Sequence, residues 1–511
     1  MSKELGDFQT PPALVTAVIE SLNSTGKKWS RVLEPACGRG NFIKALLNLP
    51  IPPREIHAIE LQSNYVKIAE KIAAEYSSTR VLIQQRKLFD LDLSRDLQWR
   101  ETGSLLVVGN PPWVTNSQLG IEGSTNLPKK TNLKNFRGID ALTGSSNFDI
   151  AEYIWLKLIR ELAFEEPTIA LLCKTTVARK VLQFAYDNDL PITSASIRII
   201  DTKKWFGAAV SACLFSVEIG SGKPHYEAAV YQNLYTTEPE STISIAGGQL
   251  VADLKAYNRL AFVDGVCPLT WRQGIKHDAA SVMELAYDKL GCLHNKLGET
   301  IIVEPEYTYP LLKSTDLFHQ LSVITEKAVI VTQKHLGENT YQLQQVAPKL
   351  WSYLTAHFDT FDRRKSSIYR GKPPFSMFGI GEYSFAPYKV GISGLHKTPK
   401  FRAIGPVNCR PVMLDDTCYF IPCYSPEQAA FLTTILSHPI CLDFIYSQLF
   451  SDAKRPITKK LLQRLNLKEV YDRIEFKSLL SQANIEFERL TTITSKQKAI
   501  WPSSLEELLE R

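Results

Sequence analysis

The feature that most constrains the fold is an alternation of short β-branched runs with amphipathic stretches from Arg31 to about Gly220. This alternation is typical of a mainly parallel sheet covered by helices. Helical periodicity at 148–164, with Asn147 as a cap, predicts one of the covering helices. The predicted strands, which together indicate an open α/β sheet, are RVLEP (31–35), IHAIEL (56–61), RVLIQQ (80–85), SLLVVGN (104–110), TIALLCK (168–174), SASIRIID (194–201) and SACLFSVEIG (211–220).

Two breaks in this pattern indicate how the chain is organised. Residues 114–146 form a polar stretch without periodicity, and a loop of this length inside a compact domain is usually functional or mobile, so we expect a mobile insert. After the last predicted strand, 221–244 has the composition of an edge hairpin, and the alternation does not resume. We therefore predict a first domain at 1–245 and a second, mixed α+β domain at 246–511 that ends in helices.

Composition sets only broad limits on function. The 511 residues, 44% of them hydrophobic, can bury a large core. The nine cysteines include no CxxC pair, which predicts reduced thiols and no metal site. The sequence has no signal peptide pattern and no apolar stretch of about 18 residues, so we expect a cytoplasmic protein without a membrane segment. A net charge of +6 does not by itself identify a nucleic-acid binder.

Two phrases near the N-terminus suit the binding of a nucleoside. In LEPACGRGNF (33–42), Gly38 and Gly40 allow a tight turn between a strand and a helix, with backbone N–H groups facing a ligand. Glu60, twenty residues after Gly40, ends the second predicted strand and can accept both hydroxyls of a ribose. FQTPPALV (8–15) precedes an apolar helix. Taken alone, these phrases also fit a glycine turn before a helix and a hydrophobic staple.

The strongest signal is NPPW (110–113), which follows a strand at the edge where open α/β sheets bind ligands. An amino group conjugated to a base is a poor nucleophile unless acceptors free its lone pair. The side-chain oxygen of Asn110 and the carbonyl oxygen of Pro111 can supply two acceptors, and Pro112 stiffens the turn. Trp113 offers a flat face on which a base can stack. The alternative is a Pro-Pro turn that only closes the strand.

Taken together, FQTPP, LEPACGRGNF, Glu60 and NPPW resemble, in this order, the gamma-order amino-methyltransferases of DNA, the group typified by Type II modification enzymes. The resemblance covers about residues 1–220. It implies a Rossmann-like, seven-stranded methyltransferase domain with S-adenosyl-L-methionine as cofactor. It further implies that a flipped adenine in double-stranded DNA is methylated at N6, and that the C-terminal domain recognises the target. Any cleavage would require a separate restriction endonuclease subunit as a partner.

The resemblance also assigns roles to single residues. Glu60 is implied to hold the cofactor's ribose, and Asn110, Pro111, Pro112 and Trp113 to act on the adenine. The residues implied to surround the methionine half of the cofactor are Thr10, Pro11, Pro12, Glu34, Pro35, Ala36, Gly38 and Gly40.

Two further positions in the first domain follow from the same resemblance. The family usually has an acid after the third strand that binds the cofactor's adenine, but in KLFDLDL this place falls to Lys87, so Asp90, or else Asp92, is the expected substitute. In DTKKWFGAAVSACLF (201–215), Phe206 fits the family's aromatic ring on the other face of the flipped base, with Trp205 behind it. Both rings also fit a simple covering of the sheet end.

Basic residues concentrate in the second domain. Between Phe361 and Arg410 there are ten basic residues, two acids and eight aromatics, a composition that suits phosphate contact, base readout and base extrusion. A solvated basic face over an aromatic core is the alternative. Together with Lys129 and Lys130 of the insert, the predicted DNA contacts are Arg363, Arg364, Lys365, Lys389, Lys397, Lys400, Lys454 and Arg455.

Several other functions fit part of the sequence. Release-factor glutamine methyltransferases share an NPP-aromatic phrase but are shorter and usually end it in Tyr. RNA adenine methyltransferases use the same chemistry on another acceptor, and cytosine N4 enzymes typically have Ser in place of Asn110. A non-catalytic DNA-binding subunit on a degenerate methyltransferase fold is disfavoured by the intact NPPW and faintly favoured by Lys87.

Overall fold

The computed structural model describes residues 9–113, 149–319, 326–491 and 509. The chain divides into two compact units, Met1–Lys255 and Ala256–Arg511. The sequence predicted a boundary at 245, but two short strands around that position pair with each other at one edge of the first unit's sheet, so the division falls ten residues later. The insert at 114–146 lies outside the described residues, as do 492–508 and 510–511, where the second domain was predicted to end in helices.

The first unit is built on a sheet of ten described strands, in the order β10-β9-β8-β6-β7-β5-β4-β1-β2-β3. All seven predicted strands are present, and β7 runs antiparallel to its neighbours β5 and β6. The predicted edge hairpin is formed by β8 and β9. The strands are β1 (Arg31–Glu34), β2 (Glu55–Glu60), β3 (Arg80–Gln85), β4 (Leu105–Gly109), β5 (Thr168–Lys174), β6 (Ile192–Ile200), β7 (Ala212–Ile219), β8 (Ala228–Tyr231), β9 (Ser241–Ala246) and β10 (Gln249–Val251).

Helices cover this sheet because its central strands are apolar on both faces. Every residue of β1 and β4 is buried, as expected for parallel strands between helical layers. The predicted helix at 148–164 is observed as α5, and its cap is Asp149, whose Oδ1 accepts from Ala151 N at 3.1 Å. Asn147 lies outside the described residues. The helices are α1 (Pro12–Asn23), α2 (Asn41–Leu47), α3 (Ser63–Ala74), α4 (Leu93–Asp96), α5 (Ile150–Glu161), α6 (Thr175–Asp187) and α7 (Thr202–Phe206).

The second unit is of α+β type, as predicted, with two sheets and their own apolar cores. One sheet has the order β11-β19-β16-β17 and the other β13-β12-β15-β14-β18. The strands are β11 (Arg272–Gln273), β12 (Glu284–Tyr287), β13 (Leu293–Asn295), β14 (Thr308–Leu312), β15 (Lys327–Ile330), β16 (Tyr388–Ser393), β17 (Phe401–Ile404), β18 (Met413–Leu414) and β19 (Cys418–Cys423).

Helices of the second unit are mostly short, and the longest described one corresponds to the helix predicted near the C-terminus. The helices are α8 (Leu254–Arg259, which begins in the first unit), α9 (Ala280–Met283), α10 (Ser314–His319), α11 (Leu343–Val346), α12 (Pro348–Ala356), α13 (Phe358–Asp362), α14 (Pro426–Leu436), α15 (Pro439–Tyr446), α16 (Lys459–Leu462), α17 (Leu467–Tyr471) and α18 (Phe476–Thr491).

Within the described ranges, no single helix is long and apolar enough to cross a bilayer. The helices α14 and α15 reach the required length and apolar composition only when they are taken together, and a bend of 56° separates them. Most of the apolar side chains of α14 are buried inside the second unit, which is the ordinary environment of a core helix.

Candidate active site

The phrases singled out in the sequence meet at one edge of the first unit's sheet. Parallel strands β1, β2 and β4 end at the same edge, so the segments that follow them lie side by side. A cavity at this edge is lined by Gln9, Thr10, Glu34, Pro35, Ala36, Cys37, Gly38, Asn41, Phe42, Ile59, Glu60, Leu61, Gln62, Tyr65, Arg86, Lys87, Leu88, Phe89, Asn110, Pro112, Ile150 and Ile154.

The turn after β1 depends on two glycines with left-handed backbone. Gly38 has φ +50° and Gly40 has φ +82°, a region that other residues adopt only at a cost. A Cβ atom at Gly40 would lie 3.1 Å from the Cβ atom of Ala69 on α3, so the turn also packs closely against that helix. Gly40 precedes α2 directly, and the turn therefore aims the start of α2 at the cavity.

Backbone amides of this edge are held by the carboxylate of Glu60. Its Oε2 accepts from Gly38 N at 2.9 Å, and its Oε1 accepts from Gln62 N at 2.7 Å. The N-terminal phrase is tied to the same turn, because Asn41 Nδ2 donates to Thr10 O at 2.8 Å. Three sequence phrases that are distant in the chain are thus joined into one wall of the cavity.

Glu34 is the most unusual acid at this edge. It is buried, and its Oε2 has no hydrogen-bond partner among the described residues. Burial, and then the negative charge of Glu60, hold the pKa of Glu34 well above its ordinary value. A cavity wall with an unsatisfied carboxyl oxygen suits a ligand that carries a positive charge or a hydrogen-bond donor.

The NPPW turn begins where β4 ends. Asn110 and Pro112 line the cavity, and Pro111 is buried behind them. The Oδ1 atom of Asn110 is shielded from solvent. Glu34 packs next to the end of the same strand, since a Cβ atom at Gly109 would lie 3.5 Å from its Cγ. The turn with two candidate acceptors therefore borders directly on the cavity formed by the earlier phrases.

Trp113 and Phe206 lie together, but not as two faces of an open slot. Their ring centroids are 5.4 Å apart with an interplanar angle of 68°, an edge-to-face contact. The indole Nε1 of Trp113 donates to Leu172 O in β5, at 3.2 Å. Trp205 is half-buried and packs against the core of the unit, and the ammonium of Lys204 lies 4.5 Å from its ring. In this arrangement a flat base does not fit between Trp113 and Phe206.

The structure separates the predicted cofactor residues into two groups. Thr10, Glu34, Pro35, Ala36, Gly38 and Glu60 line the cavity, whereas Pro11, Pro12, Gly40 and Asp90 do not. Pro11 and Pro12 start α1, and Pro11 O accepts from Leu14 N and Val15 N. Asp90 is exposed at the end of a 3₁₀ turn, while Lys87 lines the cavity, so the expected substitution of Asp90 for the family's acid gains no support from this geometry.

Sequence reasoning missed several lining residues. Ile150 and Ile154, four residues apart on α5, contribute an apolar wall, although 36 residues separate Trp113 of NPPW from Ile150. Their spacing predicted a buried helix face, but no sequence signal said which ligand or element that face would meet. Tyr65 and Phe89 also line the cavity, but nothing in the sequence distinguishes them from aromatic residues of the core.

In the second unit, three of the predicted DNA contacts are bonded within the unit itself. Lys389 is 1% exposed, and its Nζ donates to Ala386 O at 2.7 Å. Burial lowers the pKa of Lys389 to about 7. Arg455 bonds the carbonyl and the carboxylate of Asp416, at 3.0 and 3.1 Å.

The side chain of Arg364 is hydrogen-bonded to backbone carbonyls within the second unit. Its Nη1 donates to Ser376 O at 2.7 Å and to His277 O at 3.2 Å, and its guanidinium lies 3.7 Å from the ring centroid of the buried Tyr369. Burial is the first cause of the lowered pKa of this guanidinium. These contacts make Arg364 a support for the residues beside it and leave it poorly placed for a phosphate contact.

The remaining predicted DNA contacts that the structure describes are exposed: Arg363, Lys365, Lys397, Lys400 and Lys454. The ammonium of Lys400 lies 4.0 Å from the ring of Phe318, and Arg363 is 3.8 Å from Asp359 in a pair that is exposed on both sides. An exposed ion pair or an exposed contact of a cation with an aromatic ring contributes only about 1 kcal/mol or less, so both cations are available to another anion. Lys129 and Lys130 lie outside the described residues.

Comparison with known proteins identifies the family. No family model matches the sequence. The chain is 39% identical over 468 residues to Type II methyltransferase M.NspV of Nostoc sp. (strain ATCC 29411 / PCC 7524), a match that covers 91% of this chain and 96% of that protein. Its fold is similar to that of the Type IIL restriction-modification enzyme MmeI in complex with DNA, with a TM-score of 0.52 and 12% identity over 100% of this chain and 71% of that one. The chain belongs to the Type II DNA methyltransferases of restriction-modification systems, which take their methyl group from S-adenosyl-L-methionine.

Proposed function

We propose that this methyltransferase modifies the exocyclic N6 of an adenine extruded from double-stranded DNA. The observation that carries the proposal is that Asn110 and Pro112 line the same cavity as Glu34, Gly38 and Glu60. The turn that carries the candidate hydrogen-bond acceptors and the sheet edge suited to a nucleoside cofactor therefore border the same cavity. Transfer of a methyl group requires this proximity of donor and acceptor.

Residues on the β1 and β2 side would hold the cofactor. When bound, S-adenosyl-L-methionine supplies a methyl group on a positively charged sulfur. Glu34, with its raised pKa and unsatisfied Oε2, suits a cationic part of such a ligand, which would bring the pKa of this carboxyl down again. Thr10, Pro35, Ala36 and Glu60 complete the wall on this side.

Residues on the β4 side would prepare the acceptor. The N6 lone pair of adenine is delocalised into the ring, and two acceptors aimed at the amino hydrogens make it available for attack. The Asn110 side-chain oxygen and the Pro111 carbonyl can serve as these acceptors, because Pro111 and Pro112 limit how the turn can move. No strong general base is needed, since a methylated amino nitrogen is acidic enough to release its proton to water.

Trp113 and Phe206 would flank the base only after their edge-to-face contact opens. Their separation of 5.4 Å favours a site that is closed in the absence of DNA. Entry of the base would replace that contact by stacking on one or both rings. Cytosine N4 as the target is disfavoured by Asn110, since the enzymes of that class typically have Ser there.

Target recognition is proposed for the second unit, through its exposed cations. Arg363, Lys365, Lys397, Lys400 and Lys454 suit phosphate contacts, whereas Arg364, Lys389 and Arg455 are bonded internally. The structure of MmeI is a complex with DNA, and its similar fold supports the same partner for this chain. A separate restriction endonuclease as a second partner stays a prediction of the sequence.

The test is expression in a bacterial host that lacks adenine methylation, followed by single-molecule sequencing of its genomic DNA. Wild-type protein should place N6-methyladenine at one recurrent sequence, and Asn110→Ala should leave the DNA unmodified. Asn48→Ala is the matched control, because Asn48 is exposed outside the cavity and its side chain bonds only Tyr76 among the described residues, so it should methylate like the wild type. Methylcytosine at a recurrent sequence would overturn the choice of base.

A further inference from the structure

The short helix α7 carries two lysines at the rim of the candidate active site. Strand β6 runs parallel to β4 and β5, because both β5 and β6 pair antiparallel with β7 between them. The helix that follows β6 therefore stands at the same sheet edge as the NPPW turn. The contact between Phe206, at the end of α7, and Trp113 joins the two segments directly.

Lys203 and Lys204 are free for a ligand in this position. Both side chains are exposed, and among the described residues neither ammonium group pairs with a carboxylate. The nearest acid in sequence, Asp201, instead caps α7 by accepting from Lys204 N at 3.0 Å. The ammonium of Lys204 rests 4.5 Å from the Trp205 ring, which restricts where this charge can go.

Spacing along α7 brings one lysine next to the aromatic contact. Lys203 and Phe206 are three residues apart, so they lie on the same side of the helical turn. A base extruded toward Trp113 and Phe206 stays covalently attached to its two flanking phosphates, which must then lie at the rim of the pocket. A cation beside Phe206 is therefore in reach of the backbone that carries the base.

We propose that Lys203 and Lys204 form a phosphate-binding site for the DNA backbone on either side of the extruded nucleotide. This inference rests on the proposed DNA substrate and deepens it, by giving the first unit its own contact with the backbone. The site binds the strand that is being modified, whereas the cations of the second unit bind the duplex around it. The alternative is that the two lysines only favour the C-terminal end of α7 electrostatically.

The test measures how DNA affinity depends on salt. Removal of one lysine that binds a phosphate should lower the slope of log K against log salt concentration by about one. Lys203→Gln/Lys204→Gln is compared with Lys67→Gln/Lys71→Gln, which removes the same charge from exposed positions on α3 of the same unit. The probe is a short duplex with 2-aminopurine at the target position, read by anisotropy for binding and by fluorescence increase for base extrusion.

We expect the slope to fall by about two for Lys203→Gln/Lys204→Gln and to stay at the wild-type value for the α3 variant. The fluorescence increase at saturating enzyme should also fall, while the affinity for S-adenosyl-L-methionine stays unchanged. A wild-type slope for the α7 variant overturns the phosphate site, and a lowered melting temperature with a wild-type slope assigns the lysines to helix stability. Because these measurements report binding and extrusion, they are independent of whether adenine or cytosine proves to be methylated.

Discussion

The two units differ in how their sequence relates to their candidate functional surfaces. In the first unit, short phrases follow strands, and the sheet brings their ends to one edge, so Gly38, Glu60 and Asn110 meet around one cavity. In the second unit, the sequence signal was a window of charge, and the fold distributes that charge between solvent and interior. A phrase tied to a strand end predicts position, because topology fixes the position. A local excess of charge does not predict which of the charged side chains lie at the surface.

The largest effect expected in the first unit comes from Asn110→Ala. Removal of one group that acts only on the reacting amino nitrogen should lower kcat by about 100- to 1000-fold and leave the dissociation constant of S-adenosyl-L-methionine nearly unchanged. Single-turnover methylation and calorimetry measure the two quantities. Equal losses in turnover and in cofactor binding would show that the NPPW turn supports the cavity as a whole. A motif at a strand end would then predict the role of a residue no better than the charge window of the second unit does.

The corresponding change in the second unit is removal of Lys365, Arg370 and Lys372 together. All three belong to the basic residues between Phe361 and Arg410, their side chains are exposed, and none forms an ion pair with another described residue. Their replacement by Gln should weaken DNA binding by about tenfold at moderate salt and lower the salt slope by about one for each of the three that binds a phosphate. Fluorescence anisotropy over a range of salt concentrations gives both values.

The matched control for this triple variant is Lys296→Gln/Lys313→Gln/Lys327→Gln in the same unit. These lysines are already paired, with Glu284 or Asp316, at 2.5 to 2.8 Å. They should contribute little to the salt slope, although their loss will reduce stability. An equal change in slope for both triples would mean that DNA affinity follows the total charge of the unit, and the distinction between exposed and paired cations would disappear.

How far the sequence could be interpreted differs between the units for a physical reason. The seven strands and the phrases at their ends were predictable, because β-branched runs and glycine turns are local signals. The residues that meet those phrases were not predictable, since 36 residues separate Trp113 from the start of α5 and its Ile150 has no local signal of a ligand. The burial of Lys389 was equally hidden, because a lysine in a strand has the same sequence signature on either face of a sheet.

A smaller effect is expected from Glu34→Gln in the protein without cofactor. The pKa of Glu34 is raised in the folded state, so the folded protein binds a proton that the unfolded chain releases above about pH 4.5. As the pH rises from that value toward the folded pKa of Glu34, ionisation of this carboxyl increasingly lowers the free energy of unfolding. Glu34→Gln should raise Tm by a few degrees at pH 8, and by less at pH 5.

Differential scanning calorimetry at the two pH values measures this difference. The control is Glu70→Gln, since Glu70 is exposed on α3 and should give the same small change at both. A lower Tm for Glu34→Gln at pH 8 would indicate that the ionised carboxylate already has a partner in the folded protein, which would contradict its assignment to a positively charged part of the cofactor.

The effect that most sharpens the contrast between the units is expected from Lys389→Met. With a folded pKa of about 7, Lys389 releases its proton on folding at higher pH, whereas the unfolded chain keeps it up to about pH 10.5. The stability of the wild type should therefore rise, relative to Lys389→Met, between pH 7 and pH 10. Urea denaturation at pH 7 and pH 9.5 measures this change, with Lys397→Met as the exposed control.

DNA binding by the same two variants decides what the charge window means. Because Lys389 is buried under Phe420 and bonded to Ala386 O, Lys389→Met should keep the wild-type salt slope, whereas Lys397→Met should lower it by about one. If Lys389→Met lowered the slope as well, this lysine would have to leave its buried position to reach a phosphate. Charge in the second unit would then predict function as directly as the strand-end phrases do in the first, and exposure in the unbound protein would be the wrong criterion for choosing among its cations.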